Sequence, residues 1–527
     1  MRRSAATPPP ATPRGSRWRL AGRTALIPVA ALAATTMLAQ GDQSSLAQAV
    51  GGIQRQFGVS DQLLGLIPFC MAICGAIGAI PIGVLADRHR RTWLLAAVCA
   101  IWAAAMGAGV LAASFALLFA ARMVAGASEG TPPAAISLLS DYFPVRRRSE
   151  AMGVYQAGAI AGAFFGLVGG GIAVQFGGWQ WAFWIWVPIG LLVAVWYLFL
   201  HEPARGSQDA AFEATVGTAA GATSGTAGGM VAAEGPEAAD LAARGVLSLP
   251  EPRRADAPDL GALRALLRIP TMWIGTLFFT VSQLLLNGLS FWGVEYFKRV
   301  HHLGPAAAGG FATVLGAGSA VGVLTGGWLA DRLLRRGHVN ARVYVSAFGA
   351  IGATLILVPA FASTDLLVSA PLLFVGGVLL TVPIAPAEAL CTDVVVPELR
   401  GRGAMVRLVV RTLSWAGPYL IGLISDLIAP NTALGLRWAI VTACPFYALG
   451  GLIMLAAARY YPRDIAYVIA HSRRAHQAAR AEPGPADGLG WRPGQDPGRG
   501  PGQDPGLAVG PEASPEAAPD ARAGETR

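Results

Sequence analysis

Apolar stretches of about 20 residues recur along the chain with short polar breaks between them, the length a helix needs to cross a bilayer core of about 30 Å. The pattern predicts spans over residues 24–48, 63–86, 93–113, 115–140, 149–174, 181–200, 270–296, 307–330, 342–362, 367–393, 403–428 and 436–459. Two segments break the rhythm. Residues 204–265 turn to Ala, Gly, Thr, Pro and Glu with almost no aromatics, and the C-terminal part repeats Pro-Gly-Gln-Asp-Pro-Gly at 493 and 501. Such compositions bury too little apolar surface to offset chain entropy and predict disorder. The predicted organisation is a cytoplasmic segment (1–22), a bundle of six spans (23–203), a disordered cytoplasmic linker (204–265), a second bundle of six spans (266–460) and a disordered cytoplasmic tail (461–527). The fold class is an all-α membrane protein of twelve transmembrane helices in two pseudo-symmetric six-helix bundles.

Composition agrees with that pattern. The 527 residues are 54% hydrophobic and 13% charged, with a mean hydropathy of +0.50. Soluble domains carry about 25% charged residues, so an ordinary soluble domain is excluded. The net charge of +9 comes from arginines in the breaks and tails; Lys298 is the only lysine. A basic excess in alternate loops is what the positive-inside rule predicts, and no nucleic-acid partner is needed to explain it. The arginine-rich breaks follow spans two (Arg88, Arg90, Arg91), four (Arg146, Arg147, Arg148), eight (Arg332, Arg335, Arg336) and ten (Arg400, Arg402), which places both termini in the cytoplasm and the chain in the plasma (inner) membrane. On the opposite side only Arg55, Arg437 and the pair Lys298-Arg299 interrupt nearly uncharged breaks. Arg2-Arg3 lacks the apolar consensus of an export signal, so the first span is read as retained. Cys70, Cys74, Cys99, Cys391 and Cys444 show no metal-ligand spacing, and no metal or cofactor is expected.

The chain contains a repeat. Gly83-Val-Leu-Ala-Asp87-Arg88-His-Arg90-Arg91 closes span two, and Gly327-Trp-Leu-Ala-Asp331-Arg332-Leu-Leu-Arg335-Arg336 closes span eight; Gly78 and Gly322 share the same offset. A second echo opens spans five and eleven, with Pro144, Arg147 and Ala151-Met152 against Pro397, Arg400 and Ala404-Met405. Two echoes in corresponding places indicate duplication of a six-helix unit. Glycine at 83 and 327 is expected to let another backbone approach closely. In this motif, its copy, the spans and the central linker, the sequence resembles the major facilitator superfamily over about residues 24–459. The resemblance implies a cytoplasmic latch between two halves, with Gly83, Asp87, Arg88, Arg91, Gly327, Asp331, Arg332 and Arg335 as its gating motif. It implies that Asp87 faces the start of span eleven near Gly401–Gly403 and Asp331 the start of span five near Arg148.

An ionisable residue at span centre costs about 2.5–3.5 kcal/mol on insertion scales, so each is a functional candidate. Asp42, Arg122, Glu129, Glu388, Arg407 and Arg411 qualify; Asp141, Glu295, Asp393 and Asp426 fall near predicted ends, where solvation is expected. Arg122 and Glu129 lie seven residues apart, close to two turns at about 3.6 residues per turn, and share a stripe. They fit either a structural ion pair or a proton-coupling carboxylate whose protonation frees the arginine, with Asp42 as a third member. Pro383-Ile-Ala-Pro386-Ala-Glu388 fits either a cation or proton site beside freed carbonyls or a locally satisfied acid. Arg407 is expected to snorkel outward, and Arg411 to lie deep enough for a substrate anion or Glu388. Glycines four apart in span five (Gly158, Gly162, Gly166, Gly170) and span eight (Gly318, Gly322, Gly326) predict close helix packing.

Arg122-Met-Val-Ala-Gly126-Ala-Ser-Glu129-Gly130, Ser140-Asp141-Tyr-Phe-Pro144, Gly177-Gly-Trp-Gln-Trp-Ala-Phe-Trp184 and Asn287-Gly-Leu-Ser-Phe291-Trp292 resemble the spinster branch and its bacterial relatives. That branch commonly has Asp-Arg in span one, where this chain has Asp42-Gln43. The resemblance implies a secondary active transporter, not an enzyme, probing alternate faces through a cavity lined from spans one, four, seven and ten. Asn287, Phe291 and Trp292 would supply polar and aromatic contacts, and Asp42, Glu129 or Glu388 the proton coupling. Expected partners are a small organic or amphipathic substrate, protons and membrane lipid, with the chain a monomer. A proton-independent facilitator, a multidrug or organic-anion transporter and a transporter-like sensor remain as alternatives.

Overall fold

The computed structural model describes residues 22–143, 148–203, 266–396 and 399–481. The N-terminal segment 1–21, the linker 204–265, the tail beyond 481 and the echo residues Pro144, Arg147 and Pro397 lie outside the described residues.

The described residues are helical. The first half comprises α1 (Gly22–Phe57), α2 (Asp61–Arg88), α3 (Arg91–Val110), α4 (Phe115–Ser128), α5 (Pro132–Tyr142), α6 (Arg148–Gly177), α7 (Trp181–Trp184) and α8 (Trp186–Leu198). The second comprises α9 (Pro270–Val300), α10 (Pro305–Arg335), α11 (Ala341–Ala362), α12 (Leu366–Thr381), α13 (Ile384–Asp393), α14 (Arg400–Thr412), a 3-10 turn (Leu413–Ala416), α15 (Gly417–Ile428) and α16 (Ala433–Ala481). Among the described residues ten spans are long and apolar enough to cross a membrane, and α1 and the α4–α5 pair bring the number to twelve.

Four predicted spans are broken: span six parts at Ile185 between α7 and α8, and the other three break at a residue type that stops a helix. Thr131-Pro132-Pro133 separates α4 from α5 because proline lacks a donor and disfavours helix in the preceding residue. Pro383 divides α12 from α13, and Gly417-Pro418 follows the 3-10 turn between α14 and α15. The glycine stripes serve as contact seams. A side chain at Gly158, Gly162 or Gly166 would overlap carbonyls of Ala33, Met37 and Gly41, so α6 lies directly on α1. The repeat pair behaves alike in both halves, with Gly78 against the Ala127 carbonyl and Gly322 against the Val378 carbonyl.

One expectation is corrected. The sequence predicts a disordered tail from 461, but α16 continues to Ala481. Tyr461, Ile465, Ala466 and Val468 are buried, the Tyr461 hydroxyl donates to Asp393 at 2.9 Å, and Asp464 accepts from the Thr271 amide at the start of α9 at 3.4 Å. An apolar face and two polar ties thus carry the helix past the membrane-length stretch, and Pro462 leaves it continuous.

Candidate functional site

Between the halves lies a cavity of about 700 Å³. Its wall takes Gln40, Gln43 and Ser44 from α1, Met71 and Gly75 from α2, Glu129 at the end of α4, Leu167 from α6, Asn287, Ser290 and Phe291 from α9, Leu315 and Ser319 from α10, and Thr412 and Trp415 near the break in span eleven. Spans one, four, seven and ten contribute as expected, the last through Leu373, and spans two, five, eight, nine and eleven contribute as well.

Asp42 is fully buried on α1 and accepts from Arg122 Nη2 of α4 at 2.5 Å. The Arg122 guanidinium also stands 4.8 Å from the Phe183 ring centroid, an arrangement suited to a desolvated cation. Neither residue lines the cavity. Glu129, the cap of α4, does line it. One of its carboxylate oxygens accepts from Gln43 Nε2 at 3.0 Å, and the other is buried without a hydrogen bond. Arg122 therefore pairs with Asp42 rather than with Glu129 on its own stripe. The two pairs stand side by side because Asp42 and Gln43 are consecutive on α1.

In the second half Glu388 accepts from Arg407 Nη2 at 2.7 Å and Arg411 Nη1 at 3.2 Å, and the Arg411 guanidinium lies 4.0 Å from the Phe279 ring centroid. The Glu388 side chain is 40% exposed, and this trio is outside the cavity wall. Asn287 lines the cavity with its amide 3.4 Å from the Ser414 carbonyl and hydroxyl. Phe291 also faces it, whereas Trp292 is buried behind, donating from Nε1 to the Pro418 carbonyl at 2.7 Å.

The gating-motif residues sit at the arginine-rich end. Asp87 and Arg88 are exposed at the close of α2, as are Arg332 and Arg335 at the close of α10, with Arg332 5.0 Å from the Trp328 ring centroid. Arg91 instead is buried and starts α3, where it holds Asp141 at 2.5 Å and Glu202 at 2.9 Å. Burial alone would raise the Glu202 carboxyl, but hydrogen bonds from the Thr92 amide and Arg91 outweigh it and hold the group below the usual carboxylate range. Arg342 starts α11 in the equivalent way and pairs with Asp393, the hydroxyl of Tyr461 and, at 3.9 Å, Asp331. Asp331 thus has its cation in its own half, while Arg148 donates to the carbonyls of Ser140 and Phe143. The expected close approaches at Gly83 and Gly327 are absent: a side chain at Gly83 would meet open space and one at Gly327 only ordinary contact with Ala385. Crowding there requires the arginine-rich ends of the halves to meet; at the other end, described residues tie the halves together.

That end holds the residues the sequence reading passed over. Asp61, at the start of α2, receives both terminal nitrogens of Arg299 from α9 at 2.9 Å, along with Ser425 Oγ and Gln54 Nε2 at 2.8 Å each. Arg299 further donates to Gln54 at 2.7 Å and Glu295 at 2.9 Å, and Lys298 Nζ reaches the Gln48 carbonyl of α1 at 2.6 Å. Asp426 caps α2 from the other half by accepting from the amides of Asp61 and Gln62. Glu295 and Asp61 are buried, contrary to the solvated placement expected for Glu295 near a span end. The signal was the isolated Lys298-Arg299 pair on an otherwise uncharged side.

Two six-helix halves around a central cavity, tied at one end and carrying paired copies of one loop motif, have the architecture of an alternating-access carrier. The Major Facilitator Superfamily model matches residues 32–418. The chain belongs to the major facilitator superfamily. This member of the superfamily is similar to protein spinster homolog 1 of Homo sapiens, 26% identical over 485 residues that cover 84% of this chain and 82% of that protein. It is also similar to the sphingosine-1-phosphate transporter SPNS2 of Danio rerio, 25% identical over 470 residues covering 84% and 86%. Among solved structures, a bacterial homologue of the human lysosomal transporter spinster, crystallised in an inward-facing, unoccupied conformation, has a TM-score of 0.67 at 22% identity, covering 84% of this chain and 99% of that one. As a spinster-like member of the superfamily, the chain is an integral membrane transporter and not an enzyme.

Proposed function

We propose that the chain is a proton-coupled secondary transporter that moves an amphipathic organic molecule by alternating access, with Glu129 as the proton carrier. The carrying observation is the Glu129 carboxylate, which stands in the cavity wall with one oxygen on the Gln43 amide and the other buried without a hydrogen bond. Protonation removes an unshared charge from a low-dielectric site, so the two protonation states differ in the energy of the conformations they favour. The neighbouring Asp42–Arg122 pair supplies a nearby cation that is already neutralised. An amphipathic substrate fits the largely apolar wall, and the zebrafish relative is named for sphingosine-1-phosphate, itself an amphiphile. The arginine-rich end is the cytoplasmic end of a plasma-membrane protein with cytoplasmic termini, by the charge bias of its breaks. The ties at the opposite end then make this the inward-facing state, the conformation of the solved bacterial homologue.

Proteoliposomes holding wild type or Glu129→Gln, challenged with amphiphiles under a pH gradient, test the coupling. Substrate-dependent proton flux is expected in wild type and absent in the variant. Substrate movement that is the same in both and carries no protons would replace this reading with a facilitator.

A further inference from the structure

We infer that the cavity selects a cationic amphiphile, one ammonium headgroup on an apolar tail, and that the headgroup takes the place of the proton on Glu129. This rests on the transporter reading and specifies its substrate class.

Charge in the cavity wall carries the argument. Among the described residues lining it, Glu129 is the one with an ionisable side chain. The basic residues that sequence brings to mind for an organic anion are engaged elsewhere and do not line it. Arg122 is buried on Asp42, Arg407 and Arg411 hold Glu388, and Lys298 and Arg299 belong to the network at the arginine-poor end. An anion entering the cavity therefore finds a carboxylate and no cation to offset it. A cation finds the Glu129 carboxylate, which carries one hydrogen bond, from the neutral Gln43 amide, beside the polar groups of Gln40 and Ser44. Across from these, Leu286, Leu289, Phe291 and Leu315 give an apolar surface for a tail. A volume of about 700 Å³ accommodates a single-chain molecule of this kind.

Position 43 is the selector. Its glutamine amide donates to Glu129 without contributing charge, so the site keeps a net negative charge. An arginine there would cancel that charge and present donors to an anion.

One carboxylate cannot hold both a proton and an ammonium group, so binding releases the proton to cavity water and the transporter exchanges one for the other. The titratable and charged groups facing Glu129 are Asp42 of α1 and Arg122 of α4, closed on each other, and the Cys99 thiol of α3, which borders the small pocket behind Glu129. Cation affinity should fall about tenfold per pH unit once Glu129 is protonated, and be flat in Glu129→Gln.

The test uses the full chain in nanodiscs of uncharged lipid and two probes of equal tail length, decyltrimethylammonium and decyl sulfate, read by tryptophan quenching against empty discs. Wild type should bind the cation at least about tenfold more tightly than the sulfate, and Gln43→Arg should reverse the order. Glu129→Gln, nearly isosteric, should abolish the preference and so provides the comparison if Gln43→Arg does not fold. Equal or tighter sulfate binding in wild type, or no saturable cation binding, overturns the inference. Proton flux driven by the sulfate would overturn the charge assignment while leaving the transporter reading intact. In the proteoliposomes, Glu129-dependent cation binding with no proton movement would overturn the exchange on Glu129 together with the proton coupling, and leave a facilitator.

Discussion

Asp42 and Arg122 are two charges held where the insertion cost is about 2.5–3.5 kcal/mol each, and they persist because they pair with each other. Removing one partner leaves an uncompensated buried charge, a loss of about 3–5 kcal/mol, whereas replacing both with apolar or neutral groups costs much less. Arg122→Met should therefore lower the thermal midpoint in detergent sharply, and Asp42→Asn combined with Arg122→Met should recover a large part of the loss. If the double variant is as unstable as the single, the pair is not coupled. The sequence marked both residues as unusual because a charge inside an apolar stretch stands out. It did not assign the partners. Seven-residue spacing joined Arg122 to Glu129 on one stripe, but the chain breaks at Thr131-Pro132, and the choice of Asp42 depends on how α1 lies against α4, which no local pattern encodes.

At the scale of elements, glycine periodicity was the most readable signal, because a row of missing side chains has one dominant use in lipid, the close approach of a second helix. The span-five and span-eight rows fulfil it, against α1 and α12, while Gly83 and Gly327 do not, because their neighbours depend on which end of the molecule is closed. Overpacking costs roughly 1–3 kcal/mol where a neighbour can move. At Gly162 the neighbour is the Met37 backbone, which cannot, so Gly162→Leu should lose most monodisperse protein on size exclusion. Gly153→Ala, on the same helix with nothing nearby, should keep wild-type yield. Equal yields would show that α6 does not need its contact with α1. The helical extension through Ala481 was missed for the opposite reason: its polar residues looked like a solvated tail, and the buried face of Ile465, Ala466 and Val468 is too short to register against the apolar spans.

For the whole molecule, two kinds of polar cluster have different fates during a rocking motion. The Arg91 and Arg342 nodes each join elements within one half, so they move with it and are kept. The Asp61–Arg299 network joins the two halves and must come apart before the arginine-poor end can open. Hydrogen bonds to charged groups contribute about 1.5–3 kcal/mol each, enough for the loss of this fork to shift a two-state equilibrium tenfold or more. Spin labels at the exposed positions Leu111 and Leu367, one in each half near the arginine-poor end, should report the change. Asp61→Asn or Arg299→Met is expected to add a longer-distance population in double electron–electron resonance, and with it greater access of polar thiol reagents to a cysteine placed at Ser290 in the cavity wall. Distance distributions identical to wild type in both variants would mean that close backbone packing such as Gly65 against the Pro418 carbonyl, rather than the ionic network, keeps that end shut.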